Sequence, residues 1–211
     1  DAYSCSDKQQ PLAALTRVNH SSDNCCFVLF TSGTTGVPNG VKVSHGNLTN
    51  ILLTEPGNLA MKPGVKVSQI LNIAFDMSAW EILGALANGA SLVIRQQDIQ
   101  AAVAEADIII ATPSILNNLS LAQVLPVQRV AVAGEPCPRT LADRWSKHCE
   151  FYNSCGPTET TIINTACRHF AESNKISIGA PTPNNTVYIL DEKLQPCAIG
   201  EVGEMWAGGA G

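Results

Sequence analysis

Apolar residues recur along the chain in short blocks, each closed by glycine, proline, asparagine or aspartate. The run 27–30 is apolar without alternation, the pattern of a buried strand. A second short strand is predicted over 41–44, then a helix over 45–53 that Pro56-Gly57 stops. Residues 65–75 carry Val67, Ile70, Leu71, Ile73 and Phe75 and read as a buried strand ending at Asp76. The stretch 78–87 spaces Trp80, Leu83 and Ala87 as a one-sided helix does, and Asn88-Gly89 ends it. Strands over 91–94, 107–111, 127–133 and 150–153 then alternate with helices over 98–105, 113–119 and 139–148. That alternation predicts an α/β fold of mostly parallel sheets flanked by helices. From 175 onward the pattern changes to strand and turn, with strands over 186–190 and 203–207. The chain is therefore read as a linker or entering segment (1–24), a partial α/β core (25–174) and a β-rich subregion (175–211) truncated inside a glycine-rich stretch.

Open α/β sheets bind ligands beyond the C-terminal ends of their strands. Asp76, Ala111-Thr112, Ala133-Gly134 and the segment Asn153 to Gly156 all follow predicted strands. The first strand runs into Thr31, Ser32, Gly33, Thr34, Thr35 and Gly36, with four hydroxyls and almost no side-chain bulk. Glycines let such a backbone turn with positive φ and present successive N–H groups, and hydroxyls add short donors, which suits a polyphosphate. Gly33 and Gly36 stand too close together for a Walker A loop, and no Gly-Lys-Ser/Thr follows. Taken alone, the same residues also describe a Gly/Thr-rich hairpin turn.

Composition narrows the classes. Hydrophobic residues make up 45% of the 211 and charged residues 15%, so the chain folds around a sizeable core. A net charge of -5 with scattered lysines and arginines does not support nucleic-acid binding. No apolar stretch is long enough to span a bilayer and the N-terminus lacks a signal-peptide pattern, so no membrane is expected and the location is read as cytoplasmic. The eight cysteines include no Cys-x-x-Cys pair and are read as thiols in a reducing compartment, not as metal ligands.

Spacing between segments then adds a likeness. Thr31-Ser-Gly-Thr-Thr-Gly-Val-Pro-Asn-Gly-Val41 resembles the phosphate loop of the adenylate-forming superfamily. Phe75-Asp-Met-Ser-Ala-Trp-Glu81, Asn153-Ser-Cys-Gly-Pro-Thr-Glu159 and Gly203-Glu-Met-Trp-Ala-Gly-Gly-Ala-Gly211 follow in that family's order. The Phe-Asp-x-Ser-x-Trp-Glu form resembles the amino-acid-activating adenylation domains of nonribosomal peptide synthetases. The resemblance implies a two-step ligase. An amino-acid carboxylate attacks the α-phosphate of ATP, giving aminoacyl-adenylate and pyrophosphate, and the phosphopantetheine thiol of a carrier domain then takes the acyl group. Carrier and condensation domains of the same synthetase are the partners it implies. Such chemistry needs alignment and charge neutralisation more than covalent help.

Carried over residue by residue, the resemblance places the β- and γ-phosphates on Thr31, Ser32, Gly33, Thr34, Thr35 and Gly36. Thr158 contacts a phosphate and Glu159 holds Mg²⁺, a hard ion suited to one carboxylate plus phosphate oxygens. Asn153 lies along the adenine edge, with Gly134, Glu135, Cys155 and Gly156 about the nucleotide. Asp76 meets the α-ammonium of the substrate; read without the resemblance, an ordinary N-cap is its alternative. Met77, Trp80, Ile110, Ala131, Ala133, Ser154, Ile162 and Ile163 form the side-chain pocket, or else plain core. That set is apolar apart from Ser154, so an apolar amino acid is expected, because a charged side chain would lie there unpaired. His45 stands at the family's histidine position, equally a helix-start residue, and the absence of Gly-x-Ser-x-Gly argues against a hydrolase.

Two positions depart from the family's pattern. Asn39 replaces a lysine after the loop, and Cys155 replaces the aromatic residue before Gly-Pro-Thr-Glu. Both are read as tuning. The rivals are an acyl or aryl acid ligase, against which Asp76 argues, and a degenerate nucleotide-binding domain. The resemblance also places a ribose-binding aspartate and a carboxylate-contacting lysine beyond Gly211, so the isolated fragment is expected to be inactive.

Overall fold

The computed structural model describes residues 21–32, 36–124 and 127–211. The alternating apolar blocks become one seven-stranded sheet with two hairpins beside it. Its strands are β3 (Lys66–Gln69), β4 (Ser91–Ile94), β5 (Ile108–Ala111), β6 (Arg129–Val132), β7 (Glu150–Cys155), β8 (Thr165–His169) and β9 (Ala180–Pro181). They lie in the order β4-β3-β5-β6-β7-β8-β9. The first five are parallel, and β8 and β9 join antiparallel. The fold is thus α/β, as the alternation predicts. All four residues of β5 are buried, which is what a parallel strand covered on both faces requires of an Ile-Ile-Ile-Ala run.

Helices α1 (His45–Leu52), α2 (Met77–Ala87), α3 (Ile99–Ala104), α4 (Pro113–Asn117) and α5 (Arg139–Ser146) connect these strands. Their starts follow from local chemistry. Ser44 caps α1 by accepting from the Asn47 amide at 3.2 Å while Asn47 Oδ1 accepts from the Ser44 amide at 2.9 Å. Asp98 caps α3 through the Gln100 amide, and Thr112 caps α4 ahead of Pro113. α2 packs on α1 and across β3, β4 and β5, while α5 lies against β7 and β8. Among the described residues, no helix is long and apolar enough to cross a membrane.

Three expectations change, and two strands are added. The run 27–30 does form a strand, β1 (Cys25–Thr31), but among the described residues it pairs only with β2 (Asn39–Ser44), in an antiparallel hairpin. One face of that hairpin is open, so Val28 and Phe30 are 49% and 71% exposed rather than buried. The strand expected over 65–75 stops at Gln69. The buried Glu81 carboxylate accepts the Ile70 and Leu71 amides at 2.9 and 3.1 Å, taking the N–H groups a longer strand would use. Residues 72–75 are exposed instead, Ile73 and Phe75 among them. β7 runs two residues past 153, to Cys155, because β8 pairs with it from Phe151 to Cys155. β8 and β9 have weak hydrophobic signals, and their pairing with β7 and with each other defines them. The second hairpin, β10 (Asn185–Leu190) with β11 (Glu204–Gly209), matches the strand-and-turn pattern of the C-terminal stretch.

Candidate functional site

A cavity of about 470 Å³ opens at the C-terminal ends of β5, β6 and β7. Asp76, Met77, Gly134, Glu135, Gly156 and Ile162, all singled out in the sequence, line it. Leu71, Asn72, Phe75, Thr112, Ser114 and Ile115 complete the wall. A larger groove of about 720 Å³ runs beside β4 and α3, but it holds none of the motif residues.

Asp76 reaches this cavity because Trp80 and Glu81, one turn further along the helix, are anchored. Trp80 is 1% exposed and its indole N–H donates to the Gly57 carbonyl at 2.6 Å, while Glu81 grips the end of β3. Both anchors hold α2, so its first residues project over the sheet. Gly57 is required there: a Cβ would stand 2.2 Å from the Ile51 carbonyl oxygen. Asp76 occupies the N-cap position of α2 with helical φ and ψ and makes no capping hydrogen bond. The half-buried carboxylate is instead met by the Thr158 hydroxyl and nearby amides. Burial is the main cause pushing its pKa above the ordinary aspartate value, the Thr158 hydrogen bond opposes that, and the Glu159 charge adds to it. A carboxylate held this way gains from a cation.

Thr158 and Glu159 sit in a 3-10 turn, Thr158–Thr160, directly after β7. Glu159 Oε1 accepts from the Thr31 hydroxyl at 3.5 Å across 128 residues of sequence. The fold therefore brings the glycine-threonine loop, the Gly-Pro-Thr-Glu segment and Asp76 together. Of the loop, Thr31 and the exposed Ser32 and Gly36 are described, Gly36 with φ of 80°. Gly33, Thr34 and Thr35 lie outside the described residues. One exposed carboxylate beside a hydroxyl is a hard oxygen set that fits Mg²⁺, an ion that keeps most of its ligands from phosphate and water. Among the described residues no group of three or more His, Cys, Asp or Glu could cage a metal alone.

The remaining predicted residues divide. Ile110, Ala131, Ala133 and Ile163 are at most 1% exposed, beneath the cavity and not on its surface. Trp80 is core and not a wall. Ser154 is buried, and the partly buried Cys155 ends β7. The buried Asn153 commits an amide proton to the Ser177 carbonyl at 2.9 Å and is not on the cavity wall. Glu135 accepts from both the hydroxyl and the amide of Ser114, at 2.5 and 3.0 Å. Those bonds, the Ser114 hydroxyl first, hold it below the usual glutamate range. His45 opens α1, its amide donating to the Asn24 carbonyl.

The strand-end rule marked Thr112, which lines the cavity, but sequence reasoning missed Asn72, Phe75 and Ser114. Ser114 follows β5 closely enough for the same rule to have found it; Asn72 and Phe75 depend on where β3 breaks. Gly156 has a steric role: a Cβ there would stand 2.5 Å from Ile163 Cα and 2.8 Å from the Asn164 amide nitrogen. Because both are backbone atoms, Gly156→Ala should destabilise by about 1–3 kcal/mol, as overpacking does. A thermal melt checks this, and an unchanged melting temperature would mean β7 and the 161–164 turn part without cost.

The chain's sequence and fold match known proteins. A family model described as "AMP-binding enzyme" matches residues 2–211. The chain is 52% identical over 194 residues to Adenylate-forming reductase 06235 of Coprinopsis cinerea, covering 90% of the chain and 19% of that protein. It is 33% identical over 205 residues to Gramicidin S synthase 1 of Brevibacillus brevis, covering 92% of the chain and 19% of that protein. The solved structure of PA1221, a nonribosomal peptide synthetase protein containing adenylation and carrier domains, superposes with a TM-score of 0.85. That match has 26% identity and covers 94% of the chain and 44% of PA1221. The chain thus spans about a fifth of the first two relatives.

Proposed function

Because this chain belongs to the AMP-binding enzyme family, we propose that the intact protein activates an amino acid with ATP and passes the acyl group to a carrier-domain pantetheine thiol. In the first step the amino-acid carboxylate oxygen bonds to the α-phosphorus of ATP and the α–β bridging bond breaks, releasing pyrophosphate. In the second, the thiol sulfur bonds to the acyl carbon and AMP leaves. The observation that carries this reading is Asp76: a half-buried carboxylate on the cavity wall, raised by burial and joined through Thr158 and Glu159 to the loop at Thr31.

Each group then has a role. Asp76 receives the α-ammonium and aims the substrate carboxylate toward the loop. Thr31, Ser32 and the glycines after them donate to phosphate oxygens, and Thr158 turns its hydroxyl to a phosphate. Glu159 holds Mg²⁺, which when bound neutralises charge on the phosphates. Gly134, Glu135 and Gly156 border the nucleotide, and Ser114 keeps Glu135 ionised and fixed. Met77 and Ile162 close over the substrate side chain. The test is amino-acid-dependent ATP–pyrophosphate exchange by the intact protein; nucleotide binding with no exchange for any acid would favour a degenerate binding domain. Asn39 lies opposite Thr31 at the mouth of the loop. Asn39→Lys should tighten ATP binding by about 1 kcal/mol or less, since the position is exposed. A large fall in ATP affinity, read by titration, would move the phosphates elsewhere.

A second reading concerns the acyl group's fate. The chain is 52% identical to a named adenylate-forming reductase, against 33% to a peptide synthetase. This favours reduction of the carrier thioester by another part of the intact protein. A hydride donor would add hydride to the acyl carbon, the thiol would leave, and an aldehyde would form. Aldehyde product on supplying a reduced nicotinamide supports this branch, and peptide product refutes it.

A further inference from the structure

Among the described residues, Thr161 and Ile162 are the only β-branched residues with positive φ, and they are adjacent. Thr161 closes the 3-10 turn that carries Thr158 and Glu159, at φ 57° and ψ 83°, and Ile162 follows at φ 69°. The Ile163 amide donates to the Thr161 carbonyl at 2.8 Å, so Ile162 is the centre of a three-residue turn with positive φ, the strained form. A branched side chain makes either conformation an outlier, and two in a row hold only where the surroundings leave the chain no alternative. The pair joins the parts of the site. Thr158 bonds Asp76, Glu159 accepts from the Thr31 hydroxyl and Ile162 borders the cavity.

The restraint comes from two places. At the sheet, Cys155 pairs with Thr165 and its carbonyl accepts the Asn164 amide at 2.9 Å, which fixes both ends of the loop. Gly156 lies against the Ile162 carbonyl oxygen and the Ile163 Cα, where a Cβ would stand 2.9 and 2.5 Å away. The second restraint comes from the segment that enters β10. There the Asn164 carbonyl accepts the Thr182 amide at 2.9 Å and the Thr182 hydroxyl at 3.3 Å. Asn185 Nδ2 donates to that hydroxyl oxygen at 2.7 Å, which leaves the hydroxyl proton to point at Asn164. Asn185 Oδ1 accepts the Gly211 amide at 2.8 Å, and Gly211 rests on Thr160, whose carbonyl oxygen a Cβ would approach to 2.9 Å. Asn47 on α1 ties the neighbouring Ala210 carbonyl at 3.0 Å. Neither Thr182 nor Asn185 lines the cavity.

Resting on the amino-acid reading above, we propose that Thr182 and Asn185 are positioning residues for the site. Through Asn164 and Gly211 they hold the Thr161–Ile162 turn in its strained form. That form sets Ile162 against the substrate while Thr158 and Glu159 face Asp76 and the phosphate loop. Strain makes the arrangement sensitive: once a restraint goes, the backbone relaxes toward the ordinary region and the three side chains shift together. Such a restraint acts on the ammonium, side-chain and phosphate contacts at once, which a residue supporting only the fold does not.

The test is Thr182→Val, which keeps the shape and loses the hydroxyl, in amino-acid-dependent pyrophosphate exchange by the intact protein. A misplacement of about 1 Å costs about 10²-fold, so kcat/KM for the preferred amino acid should fall about ten- to a hundredfold, with KM raised. Thr182→Ser keeps the hydroxyl and should restore it. The acid limb of the profile should move to higher pH, because Asp76 loses the Thr158 bond that lowers its pKa. The Glu159 charge that raises that pKa is the lesser influence, and Glu135 is the other carboxylate on the cavity wall. Thr161→Gly added to Thr182→Val should recover most of the loss, since glycine takes positive φ without restraint. Asn185→Leu, at a half-buried position, should repeat the pattern and replaces Thr182→Val if that variant does not fold. Unchanged kcat/KM overturns the proposal. So does a loss in kcat alone, with the pH profile fixed and no rescue by glycine, which leaves Thr182 as a support of the fold. Wild type that exchanges with no amino acid removes the amino-acid reading instead. Titration of ATP with and without Mg²⁺ then decides the restraint, since a displaced Glu159 should weaken only the Mg²⁺-dependent part of binding. Equal Mg²⁺ dependence in wild type and variant overturns it.

Discussion

Asp76→Ala in the intact protein should abolish activation of α-amino acids and spare nucleotide binding. The carboxylate is half-buried, burial already raises its pKa, and its partners are the Thr158 hydroxyl and the amides at the start of α2 and not an N-cap bond deeper in the helix. What remains is an ammonium ion with no counter-charge in a partly dry cavity. Losing one partner of such a pair costs about 2–5 kcal/mol, a fall of tens- to thousands-fold in kcat/KM. Asp76→Asn keeps the shape and loses the charge, so it should fall nearly as far, which separates charge from packing. Acid should do the same reversibly. Only the ionised carboxylate binds the ammonium, and its pKa lies above the ordinary value, so activity should be lost on lowering pH sooner than an exposed aspartate would lose it. Exchange kinetics for the preferred amino acid unchanged by Asp76→Ala would remove the residue from the site.

The second large effect is on stability and comes from Glu81. It is fully buried, and each carboxylate oxygen accepts one backbone amide, from Ile70 and from Leu71. Glu81→Ala strands both N–H groups. At about 1–3 kcal/mol for each unsatisfied buried group the loss is about 2–6 kcal/mol, a large part of a typical folding free energy. Glu81→Gln strands one, because its NH₂ faces an N–H, and should cost about 1–3 kcal/mol. Burial pushes the Glu81 pKa up to about 8 against the two amide bonds and Arg95 that lower it. Between the ordinary glutamate value of 4.5 and about 8 the folded state therefore holds a proton that the unfolded state has released. Stability should be whole below that window and decline as pH rises through it. Urea unfolding of wild type and Glu81→Gln across pH 4 to 9 checks both points. A wild-type profile no steeper than that of the variant would show that Glu81 does not titrate in the fold.

Glu81 also shows how far the site was legible. Phe75 to Glu81 is recognisable as a motif, and Asp76 as its reactive member. The reason for the tryptophan and glutamate is visible only in three dimensions: Trp80 bonds Gly57 and Glu81 bonds the end of β3, and together they aim Asp76. Hydrophobic counting over 65–75 reads a single strand because it cannot see a carboxylate arriving from 11 residues downstream to take the Ile70 amide. The sequence left Trp80 as pocket or core, and its burial makes it core.

The sequence alone determined the layered α/β order, the helix starts and the segments that meet at the site. Each is a matter of local spacing: apolar period, a capping side chain, a glycine where the chain must turn, a polar run after a strand. Tertiary structure decided which residues face a ligand. Met77 and Ile162 line the cavity, while Ile110, Ala131 and Ile163, chemically alike, lie beneath it. It also decided that β1 is half-exposed, that β8 turns antiparallel, and that the Ser154 hydroxyl and the Asn164 amide are buried without a partner within the protein. Burial and hydrogen-bond satisfaction are properties of neighbours brought from elsewhere in the chain, such as Thr31 and Glu159, and no local pattern records them.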